Sequence, residues 1–261
     1  MQNILSLQQN SYGSNMVIWI FVFALFCMVL LFVVKMIDTA YIIRHKKPFF
    51  VPFYPFLRKL DKERKAILTQ KFRFYNRLTP KQKRYFEHRV ASFIKDKDFI
   101  GRGGCIITEE IKVLVSATAI MLTFGFRDFY IGLISKIVIY PKQFYSKTNE
   151  KYHKGEFNPK LETLVLSWDD FKKGFEDDTD NLNLGIHEFT YAIHLNSIKE
   201  RDISSTVFSD SLNELSTMLS SHNELRNRLV ASKYFRKYAF TNQFEFLAVA
   251  IENFIDPPPG F

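Results

Sequence analysis

Residues 16 to 34, MVIWIFVFALFCMVLLFVV, are nineteen consecutive apolar positions without a charge. At ~1.5 Å of rise per residue, a helix of this length roughly spans a ~30 Å hydrocarbon layer. A soluble helix this long would carry a polar stripe, and none is present. The run therefore predicts a transmembrane helix, assigned to residues 16–36 and preceded by an uncharged tail, residues 1–15. A cleaved signal peptide fits poorly: MQNILSLQQNSYGSN has no basic residue, the apolar run is too long, and no small-x-small cleavage site follows it.

The flanks set an orientation. The tail has no charged side chain, whereas Lys35, Arg44, Lys46 and Lys47 follow the span closely. The positive-inside rule then puts the N-terminus outside and the C-terminal domain in the cytoplasm. Between residues 35 and 98 there are 18 Lys and Arg against 6 Asp and Glu, a surplus of 12 that exceeds the whole chain's +9. The basic character is thus juxtamembrane, where each close charge is attracted to anionic headgroups by about 1 kcal/mol. Membrane lipids are the partners expected for residues 16–36 and for the basic, proline- and aromatic-rich linker at 37–66. No nucleic-acid partner is expected, since only KFRFYNR at 71 to 77 interleaves basic and aromatic residues.

Residues 67–261 are expected to form the folded domain. Thr79-Pro80-Lys81-Gln82 combines an N-cap, a first-turn proline and a capping-box Gln ahead of a stripe formed by Phe86, Val90, Phe93 and Ile94. FIGRGGC matches no phosphate-loop spacing, has no clear strand before it and predicts a tight turn. Thr108 caps a helix running through VLVSATAIML to Gly125. KIVIY at 136 to 140 and TLVLSW at 163 to 168 read as strands, with YHKGE as a hairpin-like turn between them. Ser167-Trp168-Asp169-Asp170 opens a short helix, EDDTDN is a polar loop, and 206–236 and 242–254 read as helices, the last capped by Thr241 or Asn242 and ended by Pro257 to Pro259. The order predicts an α+β fold, mostly helical, with a small β-sheet.

The segment with chemistry is GIHEFTYAIHLN at 185 to 196. A helical HExxH brings two imidazoles onto one metal while the Glu activates the bound water. Here the position four residues after His187 is Tyr191. His194 cannot replace it on an intact helix, because seven residues advance ~10.5 Å along the axis and two zinc ligands must lie within roughly 4 Å of each other. The two cysteines, Cys27 and Cys105, have no CxxC spacing, so a metal would be held by His, carboxylate or Tyr oxygen.

FIGRGGCIITEEIKVLVSATAIMLTFG, VIYPKQF, LVLSWDDFKKG, NLGIHEF and KYAFTNQFEFLAVAIENF, in this order, resemble the Mlc titration factor A family of zinc-dependent peptidases, the glucose-regulated metallopeptidases. The resemblance covers roughly residues 70 to 256 and implies a zincin-like domain. It also implies a zinc cofactor, with His187 as the first ligand, Glu188 as the catalytic base and Glu245 as the later ligand. Tyr191 stands where the family has its second histidine. Two readings of it remain: a phenolate ligand of a weakened site, or a side chain filling the space of a lost metal with its hydroxyl on Glu188 or Glu245.

Two functions follow. One is a membrane-anchored zinc peptidase that aligns a peptide or protein substrate on KIVIY or TLVLSW as an edge strand. The other is an impaired pseudo-peptidase that binds a protein partner. Glu252, seven residues after Glu245, is read as a structural carboxylate near the helix end.

Overall fold

A computed structural model describes residues 2–46, 54, 56–146, 150–176, 183–200 and 202–255. Most of KKPFFVPFYPF, most of EDDTDN and the closing DPPPGF lie outside them. The chain divides into two units, Met1–Val51 and Pro52–Phe261.

The first unit is one helix, α1 (Gln2–His45). Its stretch Asn15–His45 is long and apolar enough to cross a membrane, and its most apolar window is not buried against protein. The helix continues past the apolar run to His45 because no Pro or Gly interrupts residues 35 to 45.

The second unit is α+β. It opens with α2 (Lys62–Lys71), α3 (Arg73–Arg77) and α4 (Pro80–Asp96). At the start of α4 the backbone N–H of Gln82 donates to Thr79 Oγ1 and the Gln82 side chain accepts from the Thr79 N–H, the reciprocal cap that the sequence predicts. Phe86, Val90 and Phe93 are fully buried. Phe86 meets Phe72, Phe74, Tyr75 and Phe124 in an aromatic cluster.

The chain then enters β1 (Asp98–Gly101), α5 (Glu109–Leu122, capped by Thr108), β2 (Lys136–Tyr140), β3 (Phe144–Ser146), β4 (Lys151–His153), β5 (Gly155–Asn158) and β6 (Thr163–Ser167). The four-stranded sheet has the order β1-β2-β6-β5, with β1, β2 and β6 parallel and β5 antiparallel to β6. Buried Ile137, Ile139, Leu164 and Leu166 fill one face of its two central strands.

Three expectations change here. A strand does precede the glycine turn: β1 is only four residues long and has no alternating pattern. The turn after it places Gly103 and Gly104 at φ of 60° and 83°, where residues with a Cβ are strained. YHKGE is not a hairpin turn, since Tyr152 and His153 pair with β3 while Gly155 and Glu156 pair with β6. KIVIY and TLVLSW are not edges: each has a strand on both sides, and the sheet ends at β1 and β5.

The helical remainder comprises α6 (Trp168–Glu176), α7 (Leu184–Lys199), α8 (Ile203–Ser221), α9 (Asn223–Ala231), a 3₁₀ turn at Lys237–Phe240 and α10 (Gln243–Ile255). The stretch expected as one helix from 206 to 236 breaks at His222. Asn242 rather than Thr241 caps α10, its Oδ1 accepting from the N–H groups of Phe244 and Glu245 at 2.9 and 3.0 Å. α7 packs against both α10 and β5, and these contacts build the site.

Candidate functional site

Asn183 starts α7 by accepting the Ile186 N–H, which fixes the first turn and the direction of His187 and Glu188. Ile186 and Phe189 on either side are fully buried and anchor that turn. His187 and Glu188 therefore project toward α10 and β5 from a rigid base.

His187 lies between two carboxylates of α10. Its Nδ1 is 3.0 Å from Glu252 Oε1, and its Nε2 is 3.3 Å from Glu245 Oε2. Glu252 is only 1% exposed, and Arg236 grips it with two N–H···O bonds of 2.8 and 3.2 Å. Tyr238, in the 3₁₀ turn, donates its hydroxyl to Glu245 Oε1 at 2.8 Å. The other oxygen, Glu245 Oε2, is buried without a hydrogen-bond partner.

Glu188 packs against β5. A Cβ on Gly155 would come within 2.6 Å of Glu188 Oε1, so only glycine leaves room for this carboxylate. Desolvation pushes Glu188 up to about 7; the positive His187 opposes the rise, while Glu245 and Glu156 add to it. Burial by itself would lower the His187 pKa, but the Glu252 hydrogen bond and the charges of Glu188, Glu252 and Glu245 outweigh it and hold the imidazole above its ordinary value. Tyr238, also desolvated and bonded to Glu245, is pushed up to about 12 and keeps its proton.

These contacts bear on a metal. A neutral His187 donating through Nδ1 points a bare Nε2 lone pair at a bare carboxylate oxygen 3.3 Å away. The two repel unless a cation, either a proton or a metal ion, lies between them. Two ligands ~2.0 to 2.2 Å from one tetrahedral zinc stand roughly 3.3 to 3.5 Å apart, so the spacing suits half of a zinc centre. The Glu252–His187 bond also suits it, since ligating imidazoles commonly donate their other N–H to a carboxylate.

The other half is missing. Tyr191 sets its ring edge-on to Phe157 of β5 and Phe244 of α10, with centroids 6.1 and 5.5 Å away. No hydrogen bond joins it to Glu188 or Glu245 among the described residues, and the hydroxyl on Glu245 is that of Tyr238. His194 is 9% exposed and packs against Phe244 and Phe208. Among the described residues no three His, Cys, Asp or Glu side chains form a metal-holding group. The residues present therefore supply two donors and do not fit a complete three-ligand catalytic zinc.

The structure brings together His187, Glu188 and Glu245, the positions that the family resemblance names, and leaves Tyr191 one turn along among aromatic rings. It adds Glu252, Arg236, Tyr238 and Gly155. The interval of seven between Glu245 and Glu252 signals one shared helix face, but it does not say which way that face turns.

A family model described as glucose-regulated metallo-peptidase M90 matches residues 56–261. An uncharacterised protein of Synechocystis sp. is 23% identical over 217 residues, covering 77% of this chain and 78% of its own length.

Proposed function

The chain belongs to the glucose-regulated metallopeptidase family, and from that premise we propose that it is a membrane-anchored, catalytically impaired member whose metallopeptidase-like domain holds a protein partner instead of cleaving a peptide. The observation that carries this reading is the side chain at 191. The turn that should add the second imidazole instead adds a phenol packed against Phe157 and Phe244, while the rest of the site keeps its carboxylates and their supports.

An extended segment of the partner has a place to pair. Lys154 accepts from the Ser167 N–H, so in the antiparallel register residues 154, 156 and 158 turn their backbone groups toward β6. Gly155 and Phe157 then present theirs to the edge on which, among the described residues, no further strand pairs, with Gly155 against Glu188. Main-chain pairing at that edge is the means by which strand addition captures peptides. The apolar stretch of α1 followed by Lys35, Arg44, Lys46 and Lys47 supports anchoring with the N-terminus outside, the domain in the cytoplasm and the basic linker near anionic lipids.

A second reading, an active zinc peptidase with Glu188 as base, is favoured by the 3.3 Å spacing of His187 and Glu245 and by the unpartnered Glu245 Oε2. It needs Tyr191 as a phenolate ligand. Peptidase assays separate the two. The purified full chain should cleave no peptide, Tyr191→His should gain zinc-dependent cleavage, and Glu188→Gln added to that variant should abolish it. Cleavage by the unmodified chain that depends on both zinc and Glu188 would overturn the first reading. Bound partner should slow amide exchange at Gly155 and Phe157.

A further inference from the structure

The residues just before α2 are part of the folded unit as well as a tether. Phe56 is 89% exposed, yet the chain on either side of it is fixed to α4. The Tyr54 ring packs on Tyr85 and His88 with centroids 5.6 and 4.4 Å away, and its hydroxyl accepts from Arg89 Nε at 3.3 Å. The backbone N–H of Arg58 donates to His88 Nδ1 at 2.8 Å. An apolar ring is thus held out at the surface of α4.

The same face is basic. Lys81, Arg84, His88 and Lys95 recur at intervals of three, four and seven, which is one side of a helix. Lys81, Arg84 and Lys95 are exposed, as are Arg58 and Lys59 beside Phe56. None of these five side chains makes an ion pair or hydrogen bond among the described residues. The two carboxylates of α4 are engaged: Glu87 accepts from Tyr75 at 2.6 Å and pairs with Lys65 at 2.9 Å, and Asp96 pairs with Lys97 at 2.8 Å.

Unpaired cations around an exposed aromatic ring match an anionic lipid surface, where the charges are drawn to headgroups while the ring enters the interfacial layer. Tyr54 follows the last residue of α1 by nine positions, and at up to ~3.6 Å per residue such a tether is short. We propose that this face, Phe56 with Arg58, Lys59, Lys81, Arg84 and Lys95, docks the second unit on the anionic surface of the membrane that anchors the chain. The inference rests on the membrane-anchored reading and goes beyond it, because it assigns lipid contact to one face of the folded domain.

The full chain with the photo-crosslinker p-benzoylphenylalanine in place of Phe56, in phosphatidylcholine nanodiscs with or without phosphatidylglycerol, tests the assignment. A lipid adduct is expected by mass spectrometry with phosphatidylglycerol, and much less without it or at high salt. Where docking is not saturated, Lys81→Gln, Arg84→Gln and Lys95→Gln should each lower its yield about fivefold; circular dichroism confirms that each variant folds. The crosslinker in place of exposed Tyr152 should give little adduct. The proposal is overturned if position 56 gives no lipid adduct or no more than position 152. It is also overturned if the yield ignores both phosphatidylglycerol and the three substitutions, because the tether alone would then bring Phe56 to lipid. Failure of the anchoring reading shows separately, as release of the chain from vesicles by alkaline carbonate.

Discussion

The two halves of α7 differ sharply in what surrounds them. At the first turn His187 and Glu188 meet ionisable groups: Glu245 and Glu252 flank the imidazole, Arg236 holds Glu252, and Tyr238 holds Glu245. One turn later Tyr191 meets Phe157 and Phe244, and beyond it His194 meets Phe244 and Phe208. The same helix thus carries a polar framework suited to a cation at one end and an aromatic packing layer at the other. The departure from the HExxH pattern is local in this chain: Tyr191 packs among aromatic rings, while Glu245 and Glu252 lie beside His187.

The contrast can be broken most strongly at Glu252. Glu252→Ala removes a buried carboxylate that joins Arg236 to His187, and breaking such a pair costs about 3 to 5 kcal/mol. Thermal or urea unfolding should show a loss of that order, with Glu252→Gln losing less because it still accepts hydrogen bonds. If Glu252→Ala unfolds like the unmodified chain, the polar framework does not support the fold.

A smaller effect is expected at Gly155. The added Cβ of Gly155→Ala would press on Glu188 Oε1, Cγ and Cδ at 2.6 to 2.8 Å, and overpacking of this kind costs about 1 to 3 kcal/mol. Removing the carboxyl in the Glu188→Ala, Gly155→Ala double variant should recover most of the loss. Additive losses would place the strain elsewhere.

The aromatic end should be the most tolerant. His194 Nδ1 is buried without a partner, so His194→Phe replaces an unsatisfied polar ring with an apolar one. It should change stability by less than about 1 kcal/mol. The pH dependence sharpens the difference, because the two histidines titrate in opposite senses. Burial lowers the His194 pKa, so its contribution is present above the ordinary histidine value of 6.5 and is lost as pH falls through the depressed folded value. His187 is raised, so in metal-free buffer its contribution is complete below 6.5 and is lost as pH rises through the folded value. His194→Phe should flatten the acid side of the stability profile and His187→Gln the alkaline side. Identical profiles for the two variants would contradict the assignment.

Much of this was legible beforehand. The Thr79 cap, the Thr108 cap, the strands at 136 and 163 and the apolar span announce themselves through local chemistry that tertiary contacts do not override. The resemblance names His187, Glu188 and Glu245, which the structure carries on α7 and α10, and helix rise alone argues against His194 as a stand-in for position 191. What escaped depends on long-range geometry. β1 and β5 are four residues each and become strands through their neighbours, so the true edge beside the site could not be chosen from propensity. Gly155 looks like turn punctuation until Glu188 is seen against it. Glu252 reads from the sequence as a structural carboxylate, and it does join Arg236 to His187, but its interval from Glu245 does not reveal that their shared face meets His187. Tyr191 marks the departure from the motif, but the hydroxyl that one of its two readings puts on Glu188 or Glu245 is supplied to Glu245 by Tyr238, seven residues before that glutamate.

The most direct test is the zinc content of the purified full chain, measured by mass spectrometry after dialysis against excess zinc and then against metal-free buffer, beside the same measurement on Tyr191→His. The unmodified chain should retain far less than one zinc per chain, and Tyr191→His close to one. One tightly retained zinc in the unmodified chain would contradict the two-donor description of the site.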